Sequence, residues 1–423
     1  MSQPAAETPV EPADRPVVAI VDPFSTGAFL KDAFAEAGWR VVAVISQVPL
    51  PEIYATSLRT QDFETVVQGG GPRETAEALA RIPVRAVVAG TEIGVQFADE
   101  LAELLSLEGN GTALSPARRD KAAMAARLKE KGLRHVRTAE VRTEDEAVAR
   151  ARELGDWPVV LKPADSAGSD GVTFCESAEA VRQTFRKLHG HTNRMGLTNH
   201  KVLVQELLVG QQYFVNTVSR AGRHHVAEIW RDDRRRVEGA GLVCDAEHLL
   251  PAHGAVQDRV RSYITQVLDA LGIAWGPAHS ELMLTADGPV LIETAARMQG
   301  TILPAEVERA TGASHVSLTV EAVTDPDAFA RRAARPYDLR QHLTVLSLIA
   351  HRDGVISTPD VAERLAALPS FGGLIGDLSV GVPVQRTVDL FTSPGIVYLV
   401  GDREQVERDR AAVRALEADG LYG

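Results

Sequence analysis

Cysteine is scarce: the 423-residue chain has only Cys175 and Cys244, and no CxxC pair. That removes a disulfide framework and a cysteine-based zinc site, and it fits a reducing, cytoplasmic setting. No run approaches the 18 or so apolar residues that a membrane-spanning helix needs. Positive charge is also short, with 45 Lys and Arg against 57 Asp and Glu, a net charge of −12. Nucleic acid and anionic membranes are bound chiefly through an excess of Lys and Arg, so neither is an expected partner. The first strand is followed by one glycine where dinucleotide binding wants three, and the GxxxxGK[ST] order of a P-loop is absent. No Ser/His/Asp or cysteine nucleophile arrangement, internal repeat or biotinyl-type Met-Lys-Met segment stands out. His224-His225 has no partner at ligand spacing and is given no metal role.

What remains is an ordinary globular composition, 45% apolar and 24% charged, with length for two or three domains. Residues 1–15 are rich in Pro, Ala and acid and read as a disordered tail. Val17–Val21, a helix opened by Ser25-Thr26-Gly27 and closed by Gly38, and Val41–Ile45 form a βαβ unit, which predicts a doubly wound parallel sheet. Ala86–Ala89 is a further strand, and the Gly90-Thr91-Glu92 after it stands where a strand end meets a ligand. Ser115-Pro116 signals a helix running to Lys131. A second α/β region follows, with helices 144–154 and 177–188, strands at 158–162 and 202–205, and a mobile loop expected at 189–200. Strands are expected at 213–219 and 225–230, then a long helix at 256–271. Charged residues 331–340 introduce a last unit with strands at 343–350, 373–378 and 396–400 and a final helix. The divisions are 1–15, 16–115, 116–330 and 331–423.

The stretch Glu281-Leu-Met-Leu-Thr285, Ala-Asp-Gly, Pro289-Val-Leu-Ile-Glu293 reads as a hairpin with a three-residue loop. That register pairs Thr285 with Pro289, Met283 with Leu291 and Glu281 with Glu293. Opposed Cβ atoms lie about 4.5–5.5 Å apart and like charges there repel, so the pair calls for a cation between them. Carboxylate oxygens favour Mg²⁺, with phosphate oxygens completing its shell. A two-residue loop would instead put the acids on opposite faces, and two unrelated acids on a solvated edge is the blander reading. Lys162 ends a strand just before the small-residue loop Ser166-Ala167-Gly168-Ser169-Asp170-Gly171-Val172, a pairing suited to cradling phosphate. Lys121, taken alone, is a solvated helix residue. Gln205-Glu206-Leu207-Leu208 ends a strand where backbone groups can meet a purine edge, with Glu206 either free for a ribose hydroxyl or simply the exposed end of the strand. Arg297 can neutralise developing charge near metal and phosphate. His279 shares a strand face with Glu281 and is a candidate substrate contact, against the commoner structural role of a lone histidine.

In their order, Lys162-Pro163, the loop 166–172, Gln205-Glu206 with Gly210, and Glu281/Glu293 with Arg297 resemble the ATP-grasp superfamily, specifically its carboxylate–amine ligases. Gly276–Glu281, Gly288–Glu293 and Ala296-Arg297 are similar to the L-amino acid ligases that make dipeptides. The resemblance spans about residues 16–400. It implies an α/β ATP-grasp fold with an N-terminal doubly wound parallel-sheet domain, a two-lobed core and a small β-rich C-terminal domain. It further implies that ATP and Mg²⁺, replaceable by Mn²⁺, are bound. Lys121, Lys162, Ser166, Gly168, Ser169 and Gly171 would lie at the phosphates, Gln205 to Leu208 at adenine, Glu206 at ribose and Glu281 and Glu293 on metal. Arg297 would be catalytic, with His279 and Gly300 beside the substrate. The implied reaction converts a carboxylate to an acyl phosphate, which an amine attacks to give an amide, ADP and phosphate. The partners are a small carboxylate and a small amine, and a homodimer is compatible with this. A purine-pathway ligase, a biotin-carboxylase-like enzyme and a non-catalytic nucleotide binder are the alternatives. One departure stands out: Ala295 occupies a position where many relatives carry a metal-binding Asn. The pocket's outline is expected to draw on Trp230, Trp275 and loop 189–200.

Overall fold

The computed structural model describes residues 15–55, 60–165, 168, 170–237, 241–418 and 420–422, so the expected tail lies outside it apart from Arg15. β1 (Val17–Val21), β2 (Arg40–Ile45), β3 (Thr65–Gln68) and β4 (Val84–Ala89) form a parallel sheet in the order β3-β2-β1-β4. Every β1 residue is buried, as a central parallel strand covered on both faces must be. Val18 and Ile20 share a core with Leu30 and Phe34 of helix Phe29–Glu36. Val17, Ala19 and Val21 face the other way, into a core with Val95 and Leu101 of helix Val95–Leu104. The expected βαβ unit is present, though its helix begins as a 3-10 turn at Ser25–Ala28. The loops after β1 and β4 touch backbone to backbone. A Cβ on Gly27 would lie 2.5 Å from the Gly90 carbonyl oxygen, and one on Gly90 would lie 2.4 Å from that of Asp22. Glycine at both places lets the two strand ends meet.

The helix expected from Ser115 to Lys131 is broken. Residues Ser115–Arg118 form a 3-10 turn, and Asp120 then caps helix Lys121–Glu130, accepting from the Ala122 and Ala123 amides at 2.8 and 2.9 Å. Arg118 enforces the break by turning into the interior, where it donates to Asp99 at 2.8 Å and to the Leu271 carbonyl at 3.1 Å. Lys121 is thereby moved to the first position of a new helix.

β5 (Thr138–Val141), β6 (Val159–Pro163), β7 (Thr173–Cys175) and β8 (Val202–Glu206) form an antiparallel sheet ordered β5-β8-β6-β7. Helices Glu144–Leu154 and Ala178–Leu188 cover it, capped by Thr143 and Ser177. The 189–200 segment, expected as a mobile loop, folds into a tight turn in which Asn193 Oδ1 accepts from the Met195 and Leu197 amides. Ten further strands follow: β9 (Gln211–Arg220), β10 (Arg223–Val237), β11 (Gly241–Leu249), β12 (Gly276–Thr285), β13 (Gly288–Ala295), β14 (His342–Ser347), β15 (Gly354–Val355), β16 (Phe371–Ile375), β17 (Pro383–Val384) and β18 (Ile396–Gly401). Eight of them make one antiparallel sheet, β13-β12-β9-β10-β11-β14-β18-β16, and β15 pairs with β17 apart. The C-terminal strands β14, β16 and β18 thus continue the sheet of the central region. Helix Ala255–Leu271 buries Ile264, Val267, Leu268 and Leu271 in a core shared with Tyr213, Val215 and Ile229 and with β1. That shared core ties the parallel sheet to the large antiparallel one. No helix among the described residues is long and apolar enough to cross a membrane.

The β12–β13 hairpin corrects the expected turn. Its loop has two residues, Ala286 and Asp287, since Thr285 pairs with Gly288 and Leu282 with Leu291. A bulge beyond Leu282 then leaves Ile292 outside the ladder and restores Glu281 opposite Glu293. The shorter loop shifts the register by one and the bulge shifts it back, so both carboxylates share a face.

Candidate active site

A cavity of about 450 Å³ opens where the ends of β1, β4 and β6 approach the inner face of β9 to β13. Glu281 and Glu293 stand on one wall. Lys121, presented by the Asp120 cap, brings its Nζ to 2.7 Å from Glu293 Oε2. Lys162 at the end of β6 is buried beside them. Burial, and then the charge of Lys121, push its ammonium down to about 8 from the usual 10.5. Burial alone would raise the Glu281 carboxyl. The His279 hydrogen bond and charge, joined by Arg234 and Arg297, hold it well below the usual range. His279 Nε2 lies 3.5 Å from Glu281 Oε1, and Gln212 Nε2 donates to Oε2 at 3.1 Å.

His279 is fixed from behind. Its Nδ1 meets Asn216 Oδ1 at 2.8 Å, while the Asn216 amide donates to Glu228 at 2.6 Å and to Gln299 at 2.7 Å. Nδ1 therefore donates to Asn216, and the hydrogen bond and charge that hold Glu281 low come from the opposite ring nitrogen, Nε2. Glu228 is fully buried and also accepts from Trp230 Nε1 and the His315 amide. Burial raises its pKa against those three hydrogen bonds.

Opposite the hairpin, Arg297 Nε donates to Glu92 Oε2 at 2.8 Å and its Nη1 to the Met298 carbonyl at 2.8 Å. Arg119 pairs with the other Glu92 oxygen at 3.2 Å. Burial works against the Glu92 charge, but the two arginines and Lys121 keep its pKa lowered. On β10 and β11, Asp232 and Glu247 are cross-strand partners facing the cavity, and Arg234 grips Asp232 Oδ2 at 2.7 Å. Burial and the neighbouring Asp232 push the Glu247 carboxyl upward. The C-terminal unit closes one side with Asp389, Leu390 and Phe391. Gly168 lies directly under the Phe391 ring: its φ is +65°, and a Cβ would come 2.5 Å from that ring.

Of the residues singled out in the sequence, Lys121, Lys162, Gly168, His279, Glu281, Glu293, Arg297 and Gly300 line this one cavity. Ser166 and Ser169 lie outside the described residues. Gly171, Gln205, Glu206 and Leu208 are not on its lining, although Asp170 and Val172 are. Gln205 pairs with Val160 two residues before Lys162, and its side chain donates to Thr138. Two expectations change. Lys121 is buried and paired instead of solvated, because the helix restarts at Asp120. Glu206 is not free: Arg137 donates to both its carboxylate oxygens, at 2.7 and 2.6 Å, because β8 pairs with the unanticipated β5. Trp230 and Trp275 are core residues away from the lining, and so is the 189–200 turn.

Sequence reasoning missed Asp232, Arg234, Glu247 and Phe391. Asp232 and Arg234 stand two apart, the spacing that shares a strand face, a signal that could have placed them together; nothing in the sequence points to Phe391. Glu92 was foreshadowed by its place after a strand end.

The donor set has a definite chemistry. Two opposed carboxylates can hold a hard divalent cation, two lysines can meet phosphate oxygens, and an anchored guanidinium can receive a carboxylate or acyl phosphate. A model of the ATP-grasp domain matches residues 156–305. Dapdiamide A synthase of Enterobacter agglomerans is 30% identical over 414 residues, covering 96% of this chain and 97% of its own. An L-amino acid ligase structure from Bacillus licheniformis superposes with a TM-score of 0.74 at 17% identity, covering 95% of this chain and 98% of its own. An Aspergillus clavatus N5-carboxyaminoimidazole synthase, solved with ADP and its ribonucleotide, gives a TM-score of 0.70 at 15% identity over 95% and 98% of the two chains. At such identities the structural likeness speaks for the fold alone.

Proposed function

The chain belongs to the ATP-grasp carboxylate–amine ligases, and from that premise we propose that its cavity uses ATP to activate an amino acid's carboxylate for attack by an amine. The enzyme forms an amide bond at the expense of ATP. The observation that carries the assignment of residues is convergence: Lys121, Lys162, Glu281, Glu293 and Arg297 come from four separate segments onto one cavity.

Glu281 and Glu293 fit a divalent cation by donor type and by facing each other across the ladder. Mg²⁺ is the proposed ion, and Mn²⁺ suits the same oxygens. Ala295, two residues beyond Glu293, brings no oxygen, so waters and phosphate oxygens would fill the rest of its shell. When bound, the cation screens the charge on the transferring phosphoryl group. Lys121 and Lys162 would hold the phosphates, with backbone of the 166–172 segment beside them. The adenine would sit against the Gln205–Leu208 backbone, one strand over from Lys162. Any ribose contact by Glu206 has to compete with Arg137.

Phosphoryl transfer of this kind needs positioning and charge neutralisation more than a nucleophile from the protein. Arg297 is aimed for that by Glu92 and the Met298 carbonyl, and it would take the negative charge of the carboxylate and then of the acyl phosphate. Leu390 and Phe391 over Gly168 would keep water from that hydrolysable intermediate. A relative named for making dapdiamide A, matched over nearly the whole chain, supports amide formation over purine-pathway chemistry.

The test is to incubate the protein with ATP, Mg²⁺ and amino acids, singly and in pairs, following ADP and product mass. Pair-dependent ADP release with a new amide mass is the expected result. ATP binding without ADP release under every pairing would leave a nucleotide binder and remove the ligase assignment.

A further inference from the structure

Behind the cavity, on the opposite face of the large sheet, His248 of β11, His342 of β14 and Glu407 of helix Arg403–Ala418 converge. One ligand atom from each lies within 4.8 Å of the others. The face is fixed by alternation: Glu247 lines the cavity, so its neighbour His248 points away from it. We propose that this trio is a second metal site, distinct from the glutamate pair, that takes a borderline divalent cation, Zn²⁺ foremost.

The surroundings prepare the ligands. His248 Nε2 lies 3.3 Å from Asp233 Oδ2, so that nitrogen carries the hydrogen and Nδ1 keeps its lone pair. A carboxylate behind the far nitrogen is the usual support of a metal-ligating histidine. Nδ1 is 3.0 Å from the Thr344 hydroxyl, which is itself 3.4 Å from His342 Nε2, so the hydroxyl sits between the two nitrogens a metal would use. Burial lowers the pKa of both imidazoles. Arg231, Arg403 and Arg410 also face the cluster and oppose a cation. Both paired arginines are held by the cluster's own carboxylates: Arg231 makes a double contact with the supporting Asp233, and both contacts of Arg410 fall on Oε2 of the ligand Glu407, leaving its Oε1 for a metal. Two imidazoles and a carboxylate suit Zn²⁺ better than Mg²⁺. Zn²⁺ ligand atoms stand about 3.3 Å apart around the ion, which asks for closure by modest side-chain rotation. The fourth position would hold water or the Thr344 hydroxyl. Such an ion would tie the C-terminal helix to the strands whose other face carries Asp232 and Glu247.

The experiment is a calorimetric titration of the chelator-stripped full chain with Zn²⁺, without ATP or Mg²⁺, repeated with Co²⁺ to read ligand-field bands. One ion per chain is expected. H248A and H342A should each weaken binding at least about tenfold, and Asp233→Asn by about the same factor, as loss of a supporting carboxylate does. The E281Q/E293Q double variant should still bind one ion, which separates this site from the cavity. If H248A fails to fold, H342Q and E407Q on half-buried positions carry the test. No stoichiometric Zn²⁺ binding, or binding unchanged by the histidine substitutions, overturns the proposal.

Discussion

Arg297→Lys is the substitution that separates charge from geometry at the cavity. Arginine donates through two nitrogens at once, 2.8 Å to Glu92 Oε2 and 2.8 Å to the Met298 carbonyl, and this fixes the plane of its guanidinium. A lysine keeps the charge but not the planar fork. Losing one oriented donor to a developing oxyanion costs about 2.7–4 kcal/mol, so kcat should fall about 10²–10³-fold. Stability should change far less. Glu92 keeps Arg119 at 3.2 Å and gains the new ammonium, so the loss should be about 1.5 kcal/mol, the low end of the range for a hydrogen bond to a charged group. Arg297→Met, which removes the charge and leaves a buried carboxylate less compensated, should cost more, approaching about 3–5 kcal/mol. Coupled measurement of ADP release gives kcat and KM, and urea unfolding gives stability. A lysine variant within about threefold of the parent kcat, a difference of under 1 kcal/mol, would refute the role given to the fork.

Two further perturbations follow from the same geometry. Lys162 titrates near 8 when folded and at 10.5 when unfolded, so the unfolded chain binds more protons between those values. Stability of the ligand-free enzyme should therefore rise with pH from about 8 to 10.5, and Lys162→Met should flatten that rise in unfolding titrations across the window. ATP affinity should fall as pH passes 8, because phosphate binding needs the ammonium; an affinity independent of pH there would contradict the placement of Lys162. Gly168→Ala should impair turnover, since its φ of +65° and the Phe391 ring 2.5 Å from the new Cβ both resist the methyl. Adding Phe391→Ala should recover part of that loss, through relief of the clash but not of the backbone strain. Failure of any recovery in kinetic assays of the double variant would mean the ring does not press on Gly168.

How much could be read without coordinates depends on how local each feature is. The parallel unit around β1 was legible because its apolar runs and glycine stops are contiguous. The Glu281/Glu293 pairing was reached by a wrong route: a three-residue loop was inferred, and the real two-residue loop gives the same pairing only because Ile292 bulges out. Nothing in a hairpin's composition reports such a bulge. Lys121 looked solvated because helix periodicity runs through Ser115–Lys131, while the break comes from Arg118 reaching Asp99, a contact nineteen residues back. Glu206 looked free because the short strand β5 that brings Arg137 to it has only four residues and little apolar pattern. β11 was hidden because its sequence mixes Cys244, Asp245, Glu247 and His248, polar groups whose partners, such as Arg414 for Asp245 and Thr344 for His248, are far away in the chain. Lys162 and the loop after it form a contiguous motif, whereas Arg234 and Phe391 reach the cavity only through the assembled sheets.

The most direct test of the central claim uses an amino acid labelled with ¹⁸O in its carboxylate, once pair-dependent turnover has identified it. If the carboxylate attacks the terminal phosphoryl group, one labelled oxygen must leave with inorganic phosphate for each amide formed, and the nucleotide product must be ADP. Unlabelled phosphate, or labelled AMP and unlabelled pyrophosphate in its place, would contradict the acyl-phosphate route and the roles given to Lys121, Lys162 and Arg297.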